Sequence, residues 1–189
     1  MKIALTTLIS ASLLSVPVLA NNFDSQHRVG IGYNQTQVDD WLTDDTVDWG
    51  NGIKLEYGYE FNRIVGINVS YATNSDDENV EGIKAEIDGY KFQVDADIGY
   101  KFELDGFSLK PYGVLGLARQ SEDNSISILD KKWTESYNDT SFVVGLGGRA
   151  EFGPHLYTDM RFEFASYDDV DYETFSWTVG YRFLSRPKI

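Results

Sequence analysis

Asp95 and Asp97 stand two residues apart, a spacing that suits chemistry. On an extended strand, residues i and i+2 share a face, so this pair could do acid–base work. The same spacing describes an ion-paired interior, and the surrounding residues extend that pattern. Charged side chains recur at alternate positions: Lys54, Glu56 and Glu60; Lys91, Asp95, Asp97 and Lys101; Arg149 and Glu151; Asp159, Arg161 and Glu163; then Arg182. Both signs are present, so a salt-bridge network is available. Arg149, Arg161 and Arg182 are placed to neutralise Glu151, Glu163 and Asp159. Charges removed from bulk water must be paired or reached by water. The network reads as the polar core of a fold, with a proton or ion path as the alternative.

Other chemistry finds few residues. The chain has two histidines, His27 and His155, and neither has a neighbouring serine arranged as nucleophile to its base. It has no cysteine, which excludes disulfides and thiolate metal sites. Acidic residues crowd three segments: Asp39, Asp40, Asp44, Asp45 and Asp48; Asp76, Asp77, Glu78 and Glu81; Asp168, Asp169, Asp171 and Glu173. Such clusters could hold a divalent cation. None shows the alternating Asp/Asn ligands, central Gly and terminal Glu of a tight calcium loop. They read as a solvated acidic rim, and no metal or cofactor is expected. With 16 basic and 30 acidic residues and a net charge of -14, nucleic acid is disfavoured as a partner.

Strands must position these charges. In Thr174–Phe183, the residues Phe175, Trp177, Val179, Tyr181 and Phe183 fall on one face, and Ser176, Thr178, Gly180 and Arg182 on the other. This two-residue period marks a strand with an apolar and a polar side. The pattern recurs over about 27–37, 52–61, 64–73, 89–103, 107–119, 141–152 and 156–166. In 107–119 the phase is open, because Tyr112 and Val114 compete with Leu115 and Leu117. Between Ile83-Ala85-Ile87 and Tyr90-Phe92 the phase slips, which predicts a bulge near Asp88-Gly89 and a ribbon continuing upstream of it. Tight turns are expected at Asn62-Arg63, Asp105-Gly106 and Gly153-Pro154-His155. Longer polar loops are expected over 39–51, 74–88, 120–140 and 167–173.

These strands present too many apolar faces for one small interior, and the polar faces carry much charge and glycine. An all-β fold with the apolar faces outward resolves this: an eight-stranded antiparallel up-and-down transmembrane β-barrel. Eight strands leave a lumen just wide enough to be filled by side chains. Short turns at one end and long loops at the other predict both termini in the periplasm. The aromatic residues Tyr57, Tyr59, Tyr71, Tyr90, Tyr100, Trp177, Tyr181 and Phe183 suit interface girdles. Trp41, Trp49, Trp133, Tyr137, Tyr167 and Tyr172 fall in the expected loops, where they could stack on sugars. A soluble barrel of lipocalin type, with the apolar faces inward, is the alternative fold.

Residues 1–20 read as a secretory signal peptide. Lys2 precedes an apolar stretch from Ile3 to Val16, Pro17 breaks it, and Val18-Leu19-Ala20 supplies the small residues of a cleavage site. Residues 21–189 then form one barrel domain. No run of ~20 apolar residues marks a transmembrane helix.

Several segments carry a likeness to a known family: Leu109-Lys110-Pro111-Tyr112-Gly113-Val114-Leu115-Gly116, Phe142-Val143-Val144-Gly145-Leu146-Gly147-Gly148-Arg149, Met160-Arg161-Phe162-Glu163-Phe164 and the aromatic last strand. With the signal peptide, they resemble the small outer-membrane β-barrels of Gram-negative bacteria, the OmpA-barrel and OmpX/Ail-like group. The resemblance implies contact with outer-membrane lipid and lipopolysaccharide. It also implies a final-strand assembly signal, here Trp177, Tyr181 and Phe183, read by the barrel-assembly machinery, although Leu184 to Ile189 follow Phe183. The catalytic His/Ser pattern of the lipid A-modifying members is missing. The expected function is non-enzymatic: a monomer acting in adhesion, in host or surface interaction through its loops, or in envelope integrity. A narrow pore or carrier for small solutes is the alternative, and an outer-membrane enzyme the third reading.

Overall fold

A computed structural model of the chain describes residues 25–40, 45–80, 83–128, 131–167 and 170–184. The described residues form nine strands: β1 (Gln26–Asp40), β2 (Asp45–Glu60), β3 (Val65–Val80), β4 (Ile83–Gly99), β5 (Phe102–Leu104), β6 (Phe107–Ile128), β7 (Lys131–Phe152), β8 (Leu156–Tyr167) and β9 (Val170–Leu184). They pair in the order β4-β3-β2-β1-β9-β8-β7-β6-β5, and β4 also pairs with β6. That last pairing closes eight long antiparallel strands into a barrel and removes the sheet's edges. β5 is a short extra strand, because the predicted fourth strand breaks at Tyr100-Lys101 before it turns into β6.

Burial follows the two-residue period with the usual sense reversed. On β8, Arg161 is 0% exposed while Phe162 is 57% exposed. The same inversion holds around the wall, where Val29, Leu55, Phe92, Leu115 and Val179 are all exposed. Water would penalise such a surface, whereas a hydrocarbon solvent stabilises it. Two turns depend on glycine: Gly106 and Gly153 have φ of 87° and 57°, in the left-handed region that other residues avoid. In the turn before β3, the side chain of Asn62 accepts the N–H groups of Ile64 and Val65 at 2.8 and 2.9 Å.

Two sequence expectations change here, and one left open is decided. The polar segments expected as loops are mostly paired hairpin, with β3–β4 reaching Val80↔Ile83 and β6–β7 reaching Ile128↔Lys131. Beyond the apolar wall a ribbon needs no greasy face, so its polar composition mimics a loop. The expected bulge at Asp88-Gly89 is absent, since the β3–β4 register runs unbroken from Val65↔Ile98 to Val80↔Ile83. Ile83, Ala85 and Ile87 therefore share the register parity of Lys91, and the ribbon does continue upstream. The irregularity lies instead between Gln35 and Gln37 of β1, opposite a β2 strand whose Gly50 has φ 104°. The open phase of β6 is decided by packing: Tyr112 and Val114 are buried inside, and Leu115 and Leu117 face out.

The two ends of the barrel differ. At one lie Gln26, Leu184 and the tight turns. At the other the strands have unequal reach. β7 pairs with β8 only up to Val143↔Ala165, and β2 with β3 up to Asn51↔Ser75. Beyond those points β3, β4, β6 and β7 continue as a four-stranded sheet.

Candidate functional site

The barrel interior gathers the charged residues of seven strands. At its centre, Arg149 on β7 donates from Nη1 to Glu60 Oε1 at 2.7 Å and from Nη2 to Asp97 Oδ2 at 3.2 Å. Its Nε lies 2.8 Å from Asp159 Oδ2. Lys110 donates to Asp97 Oδ1 at 2.5 Å. Arg28 donates to Asn68 Oδ1 at 2.7 Å and to Asp97 Oδ2 at 3.3 Å. All of these side chains are buried.

Toward the long-hairpin end lies a second cluster. Arg161 donates from Nε to Asp159 at 3.0 Å and to the Tyr112 hydroxyl at 2.9 Å. Its Nη1 meets Asp95 at 3.3 Å and Glu163 at 3.6 Å. Tyr112 donates to Asp159 at 2.6 Å, and Tyr157 to Glu56 at 2.9 Å. Gln93 bridges Asp95 and Glu163 at 2.9 and 2.8 Å. At the opposite end, Glu151 Oε2 accepts from Arg182 at 2.5 Å, from Ser108 at 2.9 Å and from Lys101.

Eight basic side chains (Arg28, Lys54, Lys91, Lys101, Lys110, Arg149, Arg161, Arg182) meet seven acidic ones (Glu56, Glu60, Asp95, Asp97, Glu151, Asp159, Glu163) in this column. Burying an unpaired charge costs several kcal/mol, so near-balance limits the cost of the column. The net charge of -14 is carried outside it. Above the column, Val38, Ala118, Val143, Tyr167 and Tyr172 form an apolar cap. Tyr167 and Tyr172 meet edge to face with centroids 5.3 Å apart.

The structure brings Arg161 to Glu163 and Asp159, and Arg182 to Glu151, but takes Arg149 to Glu60, Asp97 and Asp159 rather than to Glu151. Asp95 and Asp97 share a face and the amide of Asn68, yet each has its own arginine. Sequence reasoning missed Arg28, Asn68, Gln93, Lys110, Tyr112 and Tyr157 as members of the network. Strand parity alone places Arg28 with Gly30, whereas the open phase of β6 hid Lys110. Glycines make room for the tyrosines: a Cβ at Gly147 would strike the Tyr112 ring, and one at Gly30 or Gly180 the Tyr157 ring.

Trp177, Tyr181 and Phe183 lie exposed on the outer wall. Trp177 donates to Thr158 Oγ1 at 2.8 Å. Tyr167 and Tyr172 are not sugar platforms, because both are buried under the rim. Tyr137 packs against them. The side chains of Trp41, Trp49 and Trp133, most of the acidic clusters and residues 1–24 lie outside the described residues. His27 shares a 2.7 Å hydrogen bond with Tyr57, and His155 stacks on Tyr181 at 4.8 Å.

A closed antiparallel barrel with an apolar wall and an ionised, filled interior defines a class: the integral barrels of lipid bilayers. The chain belongs to the outer membrane protein beta-barrel domain family, whose sequence profile matches residues 6–183. Among solved structures it is similar to Ail, the attachment invasion locus protein of Yersinia pestis, at 26% identity and a TM-score of 0.63, over 85% of this chain and 100% of that one. OprG from Pseudomonas aeruginosa shares the fold at 14% identity and a TM-score of 0.59, over 88% and 99% of the two chains. So does the N-terminal β-barrel domain of OprF from Pseudomonas aeruginosa, at 19% identity and 0.54, over 84% and 99%. No curated protein matches the sequence.

Proposed function

We propose that this chain is a non-enzymatic outer-membrane barrel that acts at the cell surface through its long hairpins, in adhesion or surface interaction. The observation that carries this reading is the four-stranded sheet of β3, β4, β6 and β7, which stands clear of the apolar wall. Ordering such a ribbon outside the membrane is costly, and a binding surface gives it a use. The likeness to an attachment invasion locus protein supports the reading. That protein also has a complex with the heparin analogue sucrose octasulfate. Here the surrounding segments are rich in Asp and Glu, which favours a basic partner over a sulfated one.

In this reading both termini are periplasmic, the wall contacts outer-membrane lipid and lipopolysaccharide, and Trp177, Tyr181 and Phe183 serve the barrel-assembly machinery. The barrel acts as a monomer, and its lumen is a charge-locked plug. Replacing residues 121–139 by a tight turn tests the assignment on cells that display the barrel. Binding to host cells or matrix is expected to fall while the barrel still shifts mobility on boiling. Unchanged binding with an intact barrel would refute it. A narrow pore is the second reading, favoured by the continuous charge column from Arg182 to Lys91, and opposed by the apolar cap above it.

A further inference from the structure

At the end that carries the tight turns, the interior opens into a vestibule of about 300 Å³. Gln26, Lys101, Glu103, Ser108, Glu151 and Arg182 line it. All but Glu103 are buried. Glu103 pairs with Ser108 across the β5–β6 ladder, so it shares the inward face and stands at the open mouth.

Hydrogen bonding in this vestibule is lopsided. Glu151 receives Arg182, Ser108 and Lys101 all on Oε2, and its Oε1 is buried without a partner. Arg182 gives its two Nη atoms to Glu151, Gln26 and the Gly153 carbonyl oxygen, and its Nε has no acceptor. Glu103 makes no hydrogen bond or ion pair among the described residues. Buried polar atoms seldom lack partners, and an unmet donor and acceptor bordering one space call for an occupant that supplies both.

The charges of the vestibule say which occupant. Lys101 and Arg182 balance Glu103 and Glu151. A ligand with net charge would leave one of its charges uncompensated, whereas a zwitterion adds none. The unmet donor and acceptor belong to two side chains in direct contact at 2.5 Å, so the ligand's own charges must lie close together. An ammonium and a carboxylate on one carbon meet that requirement. The volume is at the small end of the range for ligand sites and suits a molecule of that size.

We propose that this vestibule binds an α-amino acid by its zwitterionic centre. The ammonium takes Glu151 Oε1 and Glu103, the carboxylate takes Arg182 Nε, and the side chain points out of the mouth. The same centre occurs on free amino acids and on those joined to a larger molecule through their side chains. The inference is independent of the adhesive reading; only the compartment that supplies the ligand, the periplasm, follows from the orientation proposed above.

The test is an NMR titration of the full chain refolded in detergent micelles, read at the amides of Ser108, Glu151 and Gly153. Alanine is expected to bind once, at about millimolar affinity, the scale for so few atoms. N-acetylalanine lacks the ammonium and alanine amide lacks the carboxylate. Each is expected to bind about tenfold more weakly, the worth of one charge-assisted hydrogen bond. Glu103→Gln is expected to weaken alanine about threefold, as for an exposed ion pair. Glu103→Lys is expected to prefer N-acetylalanine to alanine, a gain that misfolding cannot imitate. Asp123→Asn, at the opposite end, is expected to bind as wild type. Nε-acetyllysine separates the two sources: binding equal to alanine assigns the site to tethered amino acids, and loss of binding assigns it to free ones. No shift of these amides with alanine, equal binding of alanine and its two singly charged derivatives, or an alanine preference that survives Glu103→Lys would overturn the proposal.

Discussion

Replacing Arg149 by methionine keeps most of the side-chain length and removes one charge from the centre of the barrel. Arg149 holds three carboxylates, and their remaining partners differ. Asp97 keeps Lys110 at 2.5 Å and Arg28 at 3.3 Å, and Asp159 keeps Arg161 at 3.0 Å. Glu60 keeps only Lys110 at 3.7 Å, Arg28 at 3.8 Å and Lys101 at 3.9 Å. The cost therefore falls mainly on Glu60, left buried with no cation nearer than 3.7 Å. Breaking a buried ion pair from one side destabilises by ~3–5 kcal/mol; the retained partners place Arg149→Met near the lower end, at about 3 kcal/mol. Glu60→Gln in the same chain removes the stranded charge, so the double variant is expected to lose less than the sum of the two single changes. Equilibrium urea unfolding in lipid vesicles, followed by tryptophan fluorescence and by the gel shift on boiling, measures both quantities. A loss below ~1 kcal/mol, in the range of exposed ion pairs, with no coupling to Glu60 would mean that water screens the lumen. The reading of the column as a charge-locked plug would then be wrong.

Gly147→Val is expected to drive a side chain into the Tyr112 ring and cost ~1–3 kcal/mol as an overpacked interior; unfolding at the wild-type urea midpoint would refute the packing. Phe183→Ala is expected to lower the amount of barrel in the outer-membrane fraction while the barrel that does assemble keeps its stability; an unchanged amount would remove Phe183 from the assembly signal. In planar bilayers the intact chain is expected to pass no steady ion current, because the charge column is filled and Tyr167 and Tyr172 cap it. A stable ohmic current, lowered by Asp95→Asn or Arg161→Gln, would instead establish the pore reading.

Much of this architecture is legible in the sequence because strand periodicity is local. Phe162 and Arg161 fall on opposite faces whatever the rest of the chain does. Alternation over eight segments, with tight turns at Asp105-Gly106 and Gly153-Pro154, carries the antiparallel barrel and the inward position of the charges. Periodicity fails where both faces are apolar, as at Tyr112 to Leu117, and where neither is, as in the hairpin extensions. Tyr167 and Tyr172 keep the inward parity of Arg161 and Thr178, but the polar residues between them read as a loop and hid their place under the rim.

From sequence alone come the two-faced strands, the outward apolar wall, the inward charges and the membership of a barrel-forming class. The tertiary structure alone decides which cation meets which carboxylate. Arg149 reaches Glu60 across 89 residues of chain, because barrel closure and strand stagger bring β7 and β2 to face each other across the lumen. Local pattern sets the face a side chain takes, whereas its partner across the lumen depends on the register of every strand between them.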